Sequence, residues 1–266
     1  MLTEKLQKVL ARAGLGSRRQ IEAWIQEGRV QVNRKTAIIG QRVSSKDDIR
    51  LNGRRVNTKR LQTQARQIIC YHKPVGEVCT RRDPEGRPTI FKNLPHLTAG
   101  RWITVGRLDI NTSGLILLTT DGELANRLMH PSYGLEREYA VRVLGKVDDE
   151  MLKRLTAGVE LDDGVARFEG IQQAGGEGAN HWDHVVIKEG RKREVRRLWE
   201  SQGITVSRLM RIRYGQIRLP AYLRAGHWAA LDKEATSDLL KQVDLYKKPT
   251  QPQHHKTQFQ RRKRHR

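Results

Sequence analysis

The residue with the most chemical promise is Asp109. It lies in WITVGRLDINTSGLILLTTDGELANRLMHP, residues 102–131, where an apolar run gives way to Gly106-Arg107-Leu108-Asp109 and a second starts at Leu115. Two core strands joined by a polar turn are predicted, with the carboxylate on the turn, beside a guanidinium and bracketed by Gly106 and Gly114. Those glycines permit tight backbone paths and close approach of a ligand. A carboxylate so placed is available as a nucleophile or a charge stabiliser. It equally suits an Asx-turn carboxylate paired to Arg107, and spacing alone leaves both readings open. Asp121 is different: standing before Gly122 and a Leu124/Leu128 stripe, it reads as a helix N-cap, and His130-Pro131 as the stop of that helix.

Two further segments carry side chains of interest. In EREYAVRV, residues 136–143, alternation predicts a strand with Tyr139, Val141 and Val143 on one face. Its tyrosine suits either a core position or a platform for an unpaired base. In EGRKREVRRLWESQG, residues 189–203, a strand turns through Gly190 into a helix. Helical spacing puts Arg193, Arg196 and Arg197 on one side and Val195, Leu198 and Trp199 on the core side. Those arginines read as surface charge, or as including a partner that keeps a site carboxylate ionised.

The elements that must hold these groups are β-rich. Strands are predicted at 68–71, 102–105, 115–119, 138–144, 184–188 and 207–213, and helices at 123–129, 149–157 and 194–202. Strands outnumber helices without a βαβ rhythm, so the fold class is α+β with a mixed, mostly antiparallel sheet and flanking helices. No G-x-G-x-x-G or Walker loop is present, so no nucleotide cofactor is expected. Cys70 and Cys79 match no zinc signature and build no disulfide framework, so no metal is expected, and both read as thiols in a reducing cytoplasm. No apolar stretch approaches the ~18–20 residues of a membrane span, and Lys8 and Arg12 interrupt any signal-peptide core.

Charge names the class of partner. The 266 residues carry a formal +22, which disfavours enzymes of small neutral metabolites and favours a polyanion. Residues 1–62 hold +10, residues 63–246 only +4, and residues 247–266 the remaining +8. The polyanion-seeking charge therefore sits at the ends of the chain. The tail, with Phe259 its single large apolar residue, is expected to be disordered, and it suits either a solubilising, counterion-binding tail or a flexible arm on nucleic acid phosphates. In the first sixty residues, Leu6, Val9, Leu10 and Ala13 mark one helix. Ser17 caps a second, striped by Ile21, Trp24 and Ile25, and short strands follow around Val30, Val43 and Ile49. Arg12, Arg18, Arg19 and Arg29 fall off those stripes or at element ends, which predicts a shared solvated surface, either plain surface charge or a set of phosphate contacts.

LQKVLARAGLGSRRQIEAWIQEGRVQVN resembles an S4 RNA-binding domain. GRLDINTSGLILLTTDGELANRLMHP resembles the catalytic signature of the ribosomal small-subunit-A family of pseudouridine synthases. KPVGEVCTRRDPEGRPT, REYAVRV and EGRKREVRRL are similar to that family's first, second and third motifs, and the DPEGRPT and REYAVRV details resemble members acting on large-subunit rRNA. The resemblance implies an S4-like domain at 1–60 and a pseudouridine synthase domain at 68–246, while composition alone assigns the polar linker at 61–67 and the basic tail at 247–266. It implies a cofactor-free RNA isomerase, with Asp109 as the catalytic aspartate, Tyr139 beside the target base and Arg196 as the basic partner of the aspartate. Arg107 and Leu108 complete the catalytic loop. The partner implied is ribosomal RNA, as a stem-loop or assembly precursor, for a cytoplasmic monomer. Two other classes remain as alternatives: a non-catalytic S4-type assembly factor, and a metal-dependent nuclease, which would need more converging carboxylates than Asp109 and Asp83. A paralogue acting on another rRNA uridine shares the same pattern.

Overall fold

The computed structural model describes residues 3–57, 66–177 and 180–246, so the tail and all but the last two residues of the expected linker lie outside the described residues. The first segment holds β1 (Glu4–Lys5), α1 (Leu6–Arg12), α2 (Arg18–Gln26), β2 (Val30–Val32), β3 (Lys35–Thr36), β4 (Arg42–Val43), β5 (Ile49–Leu51) and β6 (Arg54–Arg55). Ser17 caps α2 as its type predicts, its hydroxyl accepting the Gln20 N–H at 3.1 Å. The stripes Leu6/Val9/Leu10 and Ile21/Ile25 close over Val30, Val32 and Ile49 in one apolar cluster. Its small sheet runs β3-β2-β5-β6, with β1 and β4 paired separately.

The rest of the chain builds one large sheet and its covering helices. In order these are β7 (Ile68–Lys73), β8 (Ile103–Val105), β9 (Ser113–Thr119), α3 (Gly122–Met129), β10 (Arg137–Leu144), α4 (Asp149–Ala157), β11 (Val159–Leu161), β12 (Gly164–Ala166) and β13 (Gly170–Glu177). Then follow β14 (Asn180–Ile187), α5 (Glu194–Glu200), β15 (Thr205–Tyr214), β16 (Ile217–Arg218), β17 (Trp228–Ala230) and α6 (Lys233–Lys241). The strand order is β13-β14-β10-β15-β9-β7-β17, with β8 on β9 and β16 on β15. Among the described residues β9 and β15 alone run parallel in it, pairing Ser113 with Met210 and Gly114 with Arg211. The sheet is therefore mixed and mostly antiparallel, as the composition of elements predicts.

Apolar alternation explains what covers it. Leu115 and Leu117 of β9 pack with Leu124 and Leu128 of α3 and Leu239 of α6. Val141 and Val185 of the other half pack with Leu155 of α4 and Leu198 and Trp199 of α5. The opposite face of β7 and β9 is closed by Ile90 and Trp102 against Tyr71, Ile116 and Leu118. β11, β12, β13, β16, β17 and α6 are additions to the expected elements. Among the described residues no helix is long and apolar enough to cross a membrane.

One helix departs from its expected pattern. α5 starts only at Glu194, because Arg193 takes a left-handed conformation at φ 54°. Arg193, Arg196 and Arg197 consequently do not share a side. Arg193 pairs with Glu200 at 3.3 Å, Arg197 makes two 2.8 Å bonds to Asp163, and Arg196 is buried. The helix is wedged between the sheet and the β11–β12 hairpin, so more than one of its faces is covered.

Candidate active site

A cleft of about 590 Å³ opens between the two apolar clusters, where β10, β15 and the start of β9 meet. Asp109 lies on its wall in the β8–β9 loop, with Arg107 and Leu108 before it and Tyr139 and Leu209 across from it. The loop is positioned by its own backbone. Gly106 takes a positive φ of 75° to leave β8, and a turn closed by the Thr112 N–H on the Asp109 carbonyl, at 3.0 Å, leads into β9. Leu108 anchors the near side, its side chain buried in the cluster that holds Tyr139 and its N–H 3.4 Å from the Cys79 sulfur.

Buried cations hold the far side. Lys73, wholly buried, donates to the carbonyls of Thr112 at 2.8 Å, Pro74 at 2.9 Å and Ile110 at 3.4 Å. Arg196 donates to the carbonyls of Asn111 at 3.0 Å and Val206 at 2.7 Å. The Gly76 N–H adds a 2.9 Å bond to Ile110. Three consecutive carbonyls after Asp109 are thus tied down by two charged donors, each such bond worth about 1.5–3 kcal/mol. Burial pulls the Lys73 ammonium below its usual range, opposed by the charges of Cys79, Glu77 and Asp109. It does the same to the Arg196 guanidinium, aided by Arg193 and opposed by Asp109.

This differs from a direct aspartate–arginine pair. Among the described residues no hydrogen bond or ion pair engages the Asp109 carboxylate, neither from Arg196 nor from Arg107, which disposes of the Asx-turn pairing. Arg196 acts on the loop's carbonyls and reaches Asp109 only through its field. The other carboxylates of the cleft are at least partly engaged: Glu189 binds the Arg191 guanidinium at 2.9 Å, and one Glu194 oxygen accepts the Arg191 N–H at 3.0 Å while its other oxygen is buried without a partner. Burial, with help from Glu189 and against the Arg191 contacts, pushes the Glu194 carboxyl up to about 7.

The floor carries a ring flanked by two guanidiniums. Arg137 and Arg211 each stand 5.1 Å from the Tyr214 centroid, and the Tyr214 hydroxyl donates to the Leu128 carbonyl at 2.7 Å. Arg211 is 3% exposed, gives its Nε–H to the Leu115 carbonyl at 2.7 Å, and keeps a buried Nη2 without a partner. Tyr139 is buried in the apolar cluster with Leu108, Val185 and Ile187, and it lines the cleft. Lys188, Lys192 and Arg193 make the rim basic. Among the described residues no three His, Cys, Asp or Glu side chains converge as metal ligands.

Lys73 and Arg211 were not among the expected site residues, yet strand parity marks the first of them. Ile69, Tyr71 and Lys73 share one face of β7, and a lysine in register with two core residues must be buried and bonded. Asp121 does cap α3, accepting the N–H groups of Glu123 and Leu124, and so stays structural.

The expected RNA-binding arginines divide. Arg18 and Arg19 are exposed and without a carboxylate partner among the described residues. Arg12 is held by Glu4 at 2.7 Å, and Arg29 at the far end of α2 pairs with Glu27 at 2.9 Å and lies over Trp24. Arg12 and Arg18 line one cleft, and Arg29 lies beyond the C-terminal end of α2.

Comparison with known proteins agrees with this construction. The family described as RNA pseudouridylate synthase matches residues 67–201, and the S4 domain family matches residues 4–49. Ribosomal large subunit pseudouridine synthase B of Pseudomonas aeruginosa is 60% identical over 243 residues, covering 91% of this chain and 63% of that protein. The protein of the same name from Yersinia pestis is 57% identical over 244 residues, covering 91% of this chain and 77% of its own length. This chain thus spans less than two thirds of the Pseudomonas relative. A crystal structure of a pseudouridylate synthase superposes with a TM-score of 0.62 at 26% identity, over 88% of this chain and 99% of the other. With the matched stretch enclosing the Asp109 loop, Tyr139 and Arg196, the chain belongs to the RNA pseudouridylate synthase family.

Proposed function

We propose that this protein isomerises a specific uridine of large-subunit ribosomal RNA to pseudouridine, with Asp109 as the reacting carboxylate. The observation that carries the reading is the contrast within the cleft: Glu189 and Glu194 are engaged, whereas the Asp109 carboxylate has no direct partner on a loop whose carbonyls are fixed on three successive residues. Fixing the backbone rather than the carboxylate leaves the oxygens free to meet a substrate while keeping their position.

The reaction breaks the N1–C1′ bond, turns the uracil and forms C5–C1′. N1 gains a proton and C5 loses one, so the change is an isomerisation with no net redox. Asp109 serves as nucleophile or as stabiliser of positive charge at the sugar. A uridine must leave its stack to reach a cleft of this depth, and Tyr139 is placed to support the displaced base. Arg196 and Lys73 act as positioning residues. In this reading residues 1–60 grip rRNA phosphates, 61–67 link, 68–246 catalyse and 247–266 add a basic arm, in a cytoplasmic monomer acting on a stem-loop or assembly precursor.

Asp109→Asn tests the assignment. Release of tritium from 5-tritiated uridine in rRNA should be abolished while RNA binding persists. Substantial residual turnover would remove Asp109 from its role, and loss of binding alongside turnover would point to a structural one.

A further inference from the structure

A second cleft, of about 370 Å³, lies where the N-terminal helices meet the catalytic body. The two parts approach closely beside it. A Cβ on Gly14 would stand 2.5 Å from the Gly100 carbonyl oxygen, so backbone touches backbone. Lys8, Arg12 and Arg18 line the cleft from the N-terminal side, and Arg66 and Arg101 from the body.

The acids present account for three of these five cations. Lys8 reaches Glu4 at 3.4 Å and Glu123 at 3.8 Å, Arg12 pairs with Glu4 at 2.7 Å, and Arg66 pairs with Asp121 at 2.6 Å. Arg18 and Arg101 have no carboxylate partner among the described residues. Burial and the neighbouring Arg18 charge both pull the Arg101 guanidinium below its ordinary value. The Arg101 Nε and the Arg12 Nε are buried without a hydrogen-bond partner. Arg18 also stands at the first position of α2, a nine-residue helix with no acid in its first turn, where a cation opposes the helix dipole. Two neighbouring guanidiniums without a carboxylate and a helix N-terminus that carries a cation are unfavourable alone, and an anion with several oxygens relieves both.

We propose that this cleft is a second RNA site, in which Arg18 and Arg101 clamp one backbone phosphate of the substrate between the N-terminal module and the catalytic body. The inference rests on the reading of the substrate as RNA. α3 fixes its place relative to the chemistry: Gly122 lines this cleft and Met129 lines the active-site cleft. Eight residues at 1.5 Å each put the two helix ends about 12 Å apart, so the clamped phosphate lies a few nucleotides from the target uridine. A phosphate bridging the two parts would also hold the N-terminal module in its docked pose.

The test measures RNA affinity against salt for the full chain and for Arg18→Ala, Arg101→Ala and the double variant. It uses two rRNA fragments, one carrying flanking strand beyond the target loop and one cut back to the loop. On the longer RNA each single variant should bind roughly tenfold more weakly and lower the salt slope by about one. The double variant should lose little more than either single one, since one phosphate is shared. On the shorter RNA all four proteins should bind alike. Unchanged Kd and slope on the longer RNA, or fully additive losses, would overturn the clamp. So would inorganic phosphate raising Tm in the wild type but not in the variants while RNA affinity stays the same, which would mark a free-anion site. A wild-type protein that neither binds nor modifies rRNA would refute the functional reading itself, a result separate from failure of the variants alone.

Discussion

Gly114→Ala is the sharpest perturbation of the cleft that touches no reacting group. Gly114 has φ 105°, and a Cβ built there overlaps the Arg211 carbonyl oxygen and stands 2.6 Å from the Arg211 nitrogen. The contact is backbone to backbone, across the parallel junction that joins β9 to β15. Holding a non-glycine residue at such a φ costs about 1–3 kcal/mol, and forcing a methyl into a filled space costs about 1–3 more. Together that is roughly 2–6 kcal/mol, against the 5–15 kcal/mol by which domains are stable. The junction comprises only two residue pairs, so the chain can relieve the clash by letting β9 move away from β15. That movement would break the Arg211–Leu115 bond and carry the 106–112 loop with it. Displacement of a reacting group by about 1 Å is enough to cost ~100-fold in rate. Urea denaturation should therefore show a lower midpoint at constant m-value, and tritium release should fall by about two orders of magnitude even where the protein is fully folded. A Gly114→Ala protein with a midpoint near wild type and turnover within twofold would refute the claim that this junction positions Asp109.

Two further outcomes follow from the buried charges. Arg196 braces two carbonyls at once, so Arg196→Ala should depress kcat strongly with a smaller effect on RNA affinity. Arg196→Lys should recover part of the loss, because an ammonium keeps the charge without the fork that spans both acceptors; turnover near wild type in the alanine variant would assign Arg196 no positioning role. Glu194, raised to about 7 chiefly by burial, holds its proton in the folded state when the unfolded chain has lost it. Its presence should therefore make stability decline as pH rises between about 4.5 and 7, by up to ~3 kcal/mol. Glu194→Gln should flatten that slope in pH-dependent urea melts, and an unchanged slope would mean the carboxyl is ionised in the fold.

What the sequence revealed depended on how far each signal reaches along the chain. Caps are local, and Ser17 and Asp121 bind the N–H groups that their types and positions foretell. The Asp109 loop is local as well, since an apolar run, a glycine-bracketed turn and a second apolar run lie within twenty residues. β13 was missed because GIQQAGGE has neither β-branched alternation nor a continuous apolar run, and forms an edge strand by pairing with β14. The parallel pairing of β9 with β15 joins residues almost a hundred positions apart, and no periodicity reports it. The arginines of α5 misled for a related reason. Helical spacing assigns faces only if one face is buried and the residues are all helical, and neither condition holds there.

Charge arithmetic pointed to a polyanion but said little about the catalytic block, whose net +4 conceals how its cations are used. A buried guanidinium bonded directly to Asp109 would hold the carboxylate ionised, but would also occupy the oxygens that must meet the sugar. Here Lys73 and Arg196 spend their donors on the carbonyls of residues 110–112 instead. The Asp109 charge opposes the downward pull of burial on both cations, although it bonds to neither. Among the described residues the carboxylate is thus left without a direct partner. Because both cations are buried and bonded to backbone carbonyls, a count of surface charge would not identify them.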